Sequence, residues 1–246
     1  MIGAIIQARL DSKRFPMKVL KSIDGKILLE VMINRVKKSK KINKIIVSTT
    51  ENSLDKELVL FCKQKNIYYY IGSEFNVMDR FVQTAINFNI NTIVRLTADC
   101  PLVDPNDIDN LISFFDKNYD YCANTCPPNK SSYPDGSDIE IFLLESLKKI
   151  NQIEKRNSYR EHVTYNYWKD SNYKSFILKN DIDLSNYRYT LDYKEDFKVL
   201  KIIFKHFGKN IESVSTNEIV NFLKSNPEVY SINSKCKTHS RDWKNK

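Results

Sequence analysis

Ile5-Ile6-Gln7-Ala8-Arg9-Leu10-Asp11-Ser12-Lys13-Arg14-Phe15-Pro16-Met17-Lys18-Val19-Leu20 is the stretch on which the reading of this chain turns. A short apolar strand runs into a loop with three spaced cations, Arg9, Arg14 and Lys18, and an amphipathic helix follows. An α/β protein that holds a polyphosphate needs positive charge and free backbone N–H groups at a strand's carboxyl end. Arginine closes a fork on phosphate oxygens, and lysine supplies a compact point charge. The competing reading of the same residues is a solvated basic loop.

Working outward, the first half alternates strand and helix. Ile2–Ile6 reads as a buried strand, and Leu28–Ser39 as a helix with its apolar stripe on Leu28, Val31, Met32, Arg35 and Val36. Strands follow at Lys44–Thr49, Ile67–Ile71 and Thr92–Leu96, separated by helices at Ser53–Lys65 and Val77–Phe88. Ser53 is a candidate N-cap, and Asp104-Pro105 opens a helix to about Lys117 with proline at its first position. Such alternation predicts a largely parallel sheet wrapped by helices on both faces, a three-layer α/β/α arrangement with ligands beyond the strands' carboxyl ends. Arg9–Lys18 and Asp99 both follow strands directly, so they are expected on one rim.

The second half is less regular. Strands are expected at Tyr119–Asn124, Asp138–Phe142, Tyr173–Leu178 and Tyr187–Leu191, with a Pro-, Asn- and Ser-rich loop at Thr125–Gly136. Helices are expected near Leu144–Ile153, Tyr159–Trp168 and Lys194–Phe207, the last ended by Gly208. Ser215-Thr216-Asn217-Glu218 is a capping box for a helix to about Lys224. With no internal repeat and no long linker, residues 1–226 read as one domain, followed by a loosely ordered basic tail, 227–246.

Composition narrows the partners. The 246 residues, 41% hydrophobic, suffice for one sizeable core. The net charge of +9 favours anionic partners, but its basic runs, Arg35–Lys44 and Lys235–Lys246, lack the interleaved aromatics of a single-strand platform. No helix-turn-helix, zinc-finger or RNA-recognition signature is present, so a nucleic-acid partner is not expected. Five cysteines without a C-x-x-C pair, and three histidines, argue against a zinc site and for reduced thiols. No apolar run reaches the ~20 residues of a membrane span, and Arg9 interrupts the short apolar N-terminus; a cytoplasmic protein with no membrane contact is expected.

Two carboxylates stand out as metal ligands. Asp99, in Arg95-Leu96-Thr97-Ala98-Asp99-Cys100-Pro101-Leu102, follows a strand; Asp192, in Arg188-Tyr189-Thr190-Leu191-Asp192-Tyr193-Lys194-Glu195-Asp196-Phe197, precedes a helix. Magnesium carrying a triphosphate takes one or two protein oxygens and fills its shell with phosphate and water. For Asp192 the competing reading is a plain helix N-cap.

The blocks I-x-Q-A-R-x-x-S-x-R-x-P-x-K-V-L, V-M-D-R-F, R-L-T-A-D-C-P-L-V-D-P, Y-P-D-G-S-D-I-E, R-E-H-V-T and R-Y-T-L-D-Y-K-E-D-F run in order from about Ile2 to Phe207. Together they resemble the cytidylyltransferase family, which includes the synthetases that activate ketodeoxyoctulosonate and sialic acids, and within it the spore-coat polysaccharide branch called SpsF. The resemblance implies a Rossmann-like nucleotidyltransferase fold, a homodimer, and attack of a sugar hydroxyl on the α-phosphorus of CTP with loss of pyrophosphate. It implies that Arg9, Arg14 and Lys18, with Ala8 and Ser12, hold the triphosphate, that Asp99 and Asp192 hold Mg2+, and that Arg80 lies near the base. Arg80 could equally be a surface helix arginine.

On the acceptor side, Tyr133, Asp135, Asp138 and Glu140 form an acidic and aromatic block after a flexible loop, a common place for substrate contacts. Arg160, Glu161 and His162 resemble the block facing the sugar acid, with Arg160 the one obvious cation for an acidic acceptor. His162 is either a base toward the attacking hydroxyl or a structural hydrogen-bonder. The chain departs from many sugar-acid synthetases in having Leu10-Asp11 where they carry glycines; Asp11 and Ser12 side chains are expected to shape that turn. The rival reading is a nucleotide-sugar-dependent glycosyltransferase holding metal through Asp-x-Asp, for which Asp107-Ile108-Asp109 and Asp181-Ile182-Asp183 have the spacing but not the strand-end context.

Overall fold

The alternating apolar run at the N-terminus becomes the centre of a seven-stranded sheet. In a computed structural model, which describes residues 1–115, 119–127 and 130–236, β1 (Ile2–Gln7) pairs in parallel with β4 (Lys44–Thr50) on one side and β6 (Thr92–Thr97) on the other. β4 carries β5 (Tyr68–Gly72) at its outer edge, also parallel. Beyond β6 the order continues through β8 (Glu140–Leu143), β7 (Tyr121–Ala123) and β9 (Ser175–Ile177). β8 runs antiparallel to both its neighbours, the single reversal in a mostly parallel sheet. The chain leaves β1 for β4 on one side and returns to β6 on the other, which opens a crevice at the carboxyl ends of β1 and β6.

Side chains alternating along β1 feed two cores. Ala4, Ile6 and Ala8 pack with α1 (Leu28–Val36), α2 (Lys56–Gln64) and α4 (Pro105–Phe114) on one face. Ile5 packs with α3 (Val77–Asn87), α5 (Leu144–Ile153) and Tyr167 of α7 (Tyr165–Lys169) on the other. A third cluster joins Leu28 and Val31 of α1 to α8 (Lys194–Phe207), α9 (Thr216–Ser225) and Val229 of α10 (Pro227–Ser231). The helices flank the sheet on both faces, a three-layer α/β/α fold of the Rossmann-like nucleotidyltransferase type. No helix among the described residues is long and apolar enough to cross a membrane.

Several expectations are corrected. Tyr187–Leu191 is not a strand: it makes one isolated parallel bridge, Asp135 to Arg188, because its backbone is spent on loops rather than on the sheet. The helix expected over Tyr159–Trp168 is two, α6 (Asn157–His162) and α7, broken at Val163, whose φ of 59° no α-helix accommodates. Asn52 rather than Ser53 caps the turn before α2, accepting from Leu54 N–H at 3.0 Å. A two-stranded hairpin, β2 (Ser22–Ile23) with β3 (Lys26–Ile27), precedes α1 and was not foreseen. The expected C-terminal end of α4 reaches 116–118, outside the described residues, as does the tail from 237. The segment from Pro227, expected to be loose, starts as α10 with Val229 and Asn233 buried.

Candidate active site

The loop after β1 is a closed device. Leu10 C=O accepts from Ser12 N–H at 2.9 Å and Met17 N–H at 3.1 Å, pinching residues 10–17 into a lobe. The left-handed backbone position falls at Met17 (φ 60°), not at Leu10 or Asp11, so the missing glycines cost nothing there. Ser12 Oγ accepts from Phe15 N–H at 3.4 Å, the expected turn-shaping contact in long form. Leu10 N–H itself donates to Asp55 at 2.7 Å. Asp55, 1% exposed, also accepts from Thr49 Oγ1, Thr50 N–H and Thr50 Oγ1, at 3.1, 3.2 and 2.5 Å, and so ties the loop to the end of β4.

The lobe delivers Lys18, buried, onto two carboxylates. Its Nζ lies 3.0 Å from Asp99 Oδ2 and 2.8 Å from Asp192 Oδ1, and Arg14 Nη2 reaches the same Asp192 oxygen at 2.9 Å. Residues 93 positions apart thereby meet on one ammonium. The backbone sets the meeting: Asp99 C=O accepts from Leu191 N–H at 2.8 Å and Thr190 Oγ1 at 3.0 Å. Gly136, at φ 115°, lets its loop pass beneath, where a Cβ would stand 2.6 Å from Thr190 N. Burial pulls the Lys18 ammonium toward neutrality, but Asp99 and Asp192 outweigh it and hold the lysine more firmly charged than usual. Burial likewise pushes the Asp192 carboxyl up, and Lys18 and Arg14 overcome it, holding Asp192 below the ordinary carboxylate range.

Asp192 is not the helix cap. Asp196, buried in the first turn of α8, accepts from the N–H groups of Asp192 and Tyr193 at 2.8 and 2.9 Å, which leaves the Asp192 carboxylate for Lys18. Arg188 grips Asp196 through Nε and Nη2 at 2.9 and 2.8 Å, pairs with Asp135, and lies 3.6 Å from Asp192 Oδ2. Arg188, Asp196 and Asp55 were missed as site residues. The first two carried a signal, charges at 188, 192 and 196 in fourfold spacing; Asp55 carried none beyond its place after β4.

The remaining candidates divide. Asp138 adjoins the cluster: it accepts from Thr125 Oγ1 at 2.8 Å, Gly136 N–H at 3.1 Å and the Cys100 thiol at 3.4 Å, and burial raises its carboxyl. Burial keeps Cys100 a thiol. Asp135 is taken by Arg188, and Glu140 by Arg95 and by the Tyr121 hydroxyl at 2.6 Å, in a row that Gln7 completes. Tyr133 is buried in the first core. Ala8 N–H donates to Ser48 C=O at 3.1 Å, while Arg9 is exposed at the rim.

Arg80 is not a surface arginine. It is 1% exposed, donates to Ser73 C=O at 2.5 Å, and burial lowers it to about 10. Arg160 spends its fork on α5, bonding Asn151 C=O and Oδ1 at 3.2 and 3.0 Å and Glu154 C=O at 2.5 Å. His162 ends α6 with its ring 4.6 Å from Tyr165, beside exposed Glu161. The two Asp-x-Asp pairs serve the fold or a separate cleft. Asp107 accepts from Thr216 Oγ1 at 2.6 Å, and Asp109 from Ser39 Oγ and Lys40 N–H at 2.5 and 2.9 Å. Asp181 and Asp183 line a cleft of about 420 Å³ against Asn217, Asn221 and Lys224 of α9.

The strand-rim loop thus sets two of its cations, Arg14 and Lys18, on two carboxylates at the β1/β6 switch point. The family model of the cytidylyltransferases matches residues 3–243. The chain belongs to the cytidylyltransferase family. It is a CTP-using nucleotidyltransferase. It is 32% identical over 233 residues to the spore coat polysaccharide biosynthesis protein SpsF of Bacillus subtilis, covering 92% of this chain and 95% of that one. It is 25% identical over 244 residues to the 3-deoxy-manno-octulosonate cytidylyltransferase of Fusobacterium nucleatum, covering 90% and 96%. A solved cytidylyltransferase from Leptospira borgpetersenii superposes with a TM-score of 0.88 at 30% identity, covering 96% of this chain and 98% of that one.

Proposed function

We propose that this cytidylyltransferase transfers CMP from CTP to a hydroxyl of an acidic sugar, in a magnesium-dependent reaction that supplies surface-polysaccharide synthesis. The observation that carries the reading is the single ammonium of Lys18 shared by Asp99 and Asp192. A cation already sits between two hard oxygen donors at the mouth of the crevice, and that donor set suits Mg2+, which uses few protein carboxylates and keeps phosphate and water. Asp99 and Asp192 would hold the ion, and when bound it supplies neutralising charge to the triphosphate.

The chain's own residues do the rest by placement and charge, the main currency of phosphoryl-type transfer. Arg9, exposed at the rim, and Arg14 and Lys18 on the lobe meet the phosphates. Lys18, held charged by the anionic oxygens around it, balances the charge that builds on the leaving pyrophosphate. The acceptor oxygen bonds to the α-phosphorus as the bond from that phosphorus to the α,β-bridging oxygen breaks, and His162 is the proposed group that takes the hydroxyl proton. Ala8 and Ser12 line the phosphate side, and Arg80 the base side. Asp135 and Asp138, and behind them Tyr133 and Glu140, shape the acceptor side. With Arg160 spent on α5, the carboxylate of the acceptor needs another cation, and Arg95, paired with Glu140 of the acceptor block, is the proposed one. The working unit is proposed to be a cytoplasmic homodimer, each subunit one domain into whose third core α10 also packs.

The test is pyrophosphate release from the four nucleoside triphosphates with Mg2+ and a panel of sugar acids and neutral sugars. CTP with a sugar acid should turn over, and Asp99→Asn should abolish turnover while leaving the circular dichroism unchanged. Near-normal turnover by Asp99→Asn would remove the carboxylate pair from the reaction, and turnover with neutral sugars alone would remove the acidic acceptor.

A further inference from the structure

Asp192 does not hold its own position. Its N–H and that of Tyr193 are both anchored on Asp196 Oδ2, and Arg188 closes its fork on the same carboxylate. The remaining donor to Asp196 arrives from far along the chain. Asn233 Nδ2 donates to Asp196 Oδ1 at 2.9 Å and to Arg188 C=O at 3.3 Å. Asn233 is 2% exposed, in the turn after α10, and Val229 of α10 is buried against α8 and α9. Five donor bonds converge on this one carboxylate, two from backbone N–H groups, two from the arginine fork and one from the Asn233 amide. Buried networks of this kind are rigid only when every member is satisfied.

We infer that Asn233 is a positioning residue for the transfer reaction: its amide locks the Asp196–Arg188 pair whose other bonds aim the Asp192 carboxylate at Lys18. The inference rests on the reading of Asp192 given above. It also gives the C-terminal segment a task, since the residue that completes the network comes from the stretch after α10 rather than from the sheet. An amide is required by the chemistry. Leucine fills a similar volume and donates nothing, whereas aspartate would set a second carboxylate against Asp196.

The experiment compares Asn233→Leu with Val229→Ala, which loosens the same segment without touching Asp196. Both are assayed for pyrophosphate release well below their melting temperatures, with melting curves and CTP binding by calorimetry on each. Asn233→Leu should lower kcat about ten-fold with KM and calorimetric affinity for CTP changed by less than about three-fold, since misaimed groups cost turnover before binding. Val229→Ala should melt earlier and keep its kcat. Asn233→Asp should fall below Asn233→Leu. Unchanged kcat in Asn233→Leu overturns the inference, and so does an equal loss in Val229→Ala, which would make the segment structural. If Asn233→Leu fails to fold, Asn233→Ser is read against Val229→Ala by the same criteria. Asp192→Asn with normal turnover would instead refute the role of Asp192 itself, whatever the Asn233 variants show.

Discussion

Asp55→Asn should uncouple the cationic loop from the sheet. Asp55 is buried, and its two oxygens accept four hydrogen bonds, one from Leu10 N–H and three from Thr49 and Thr50. An asparagine there has one acceptor oxygen and one NH2 group. Facing the oxygen toward the three threonine donors turns the NH2 against Leu10 N–H, donor to donor at what is now a 2.7 Å contact. The loss is one charge-assisted bond of about 1.5–3 kcal/mol, together with a buried N–H left without a partner. A net destabilisation of about 2–4 kcal/mol follows, within what a domain of 5–15 kcal/mol total stability tolerates while staying folded. Leu10 is also the pivot whose C=O closes the lobe carrying Arg14 and Lys18, so the damage reaches the site. If about 1.4 kcal/mol of it must be restored on binding CTP, KM rises about ten-fold. Urea unfolding followed by circular dichroism gives the first quantity, and pyrophosphate release against CTP concentration the second. Unfolding free energy within 0.5 kcal/mol of wild type (about the spread of neutral surface changes), together with an unchanged KM, would refute the argument.

Arg35→Met should be among the more damaging single changes outside the site. The fully buried guanidinium donates to the C=O groups of Leu102, Val103, Ile211 and Val214, so the variant leaves four carbonyls stranded and should lose about 3–5 kcal/mol in urea unfolding. Asp107 supplies a pH signature. Burial, opposed by the Thr216 hydroxyl, raises its carboxyl to about 6, so folding takes up a proton between the unfolded value of roughly 4 and about 6. Stability contributed by this group therefore falls as pH rises through that window and is flat above it; Asp107→Asn should remove the slope in urea midpoints measured from pH 4 to 7. Arg160→Ala should cost about 1–2 kcal/mol in melting experiments by exposing the end of α5, with KM for the acceptor within about two-fold; a large acceptor effect at unchanged stability would return Arg160 to the binding site.

Apart from the β2–β3 hairpin, the order of strands and helices through α4 was legible because each element carries its own period and its own punctuation, down to Asp104 capping α4 onto Asn106 N–H at 2.8 Å. The rim was legible too, since Arg14, Lys18 and Asp99 each stand just past a strand. The second half resisted. Tyr187–Leu191 alternates like a strand, yet its N–H groups go to Asp135 and Asp99, and period alone does not say where a backbone bonds. Val163 lies inside an amphipathic run, and only its packing in the second core explains a break there.

Local sequence thus determined the fold class, the cationic loop and the two carboxylates, because hydrophobic period, caps and strand ends are properties of neighbouring residues. Only the tertiary structure decided that Asp192 faces Lys18 rather than capping α8, that Asp55 anchors the loop, and that Asn233 closes the network behind the site. Those partnerships join residues separated by tens to well over a hundred positions. Their donors and acceptors meet only once the sheet has brought the ends of β1 and β6 to one rim.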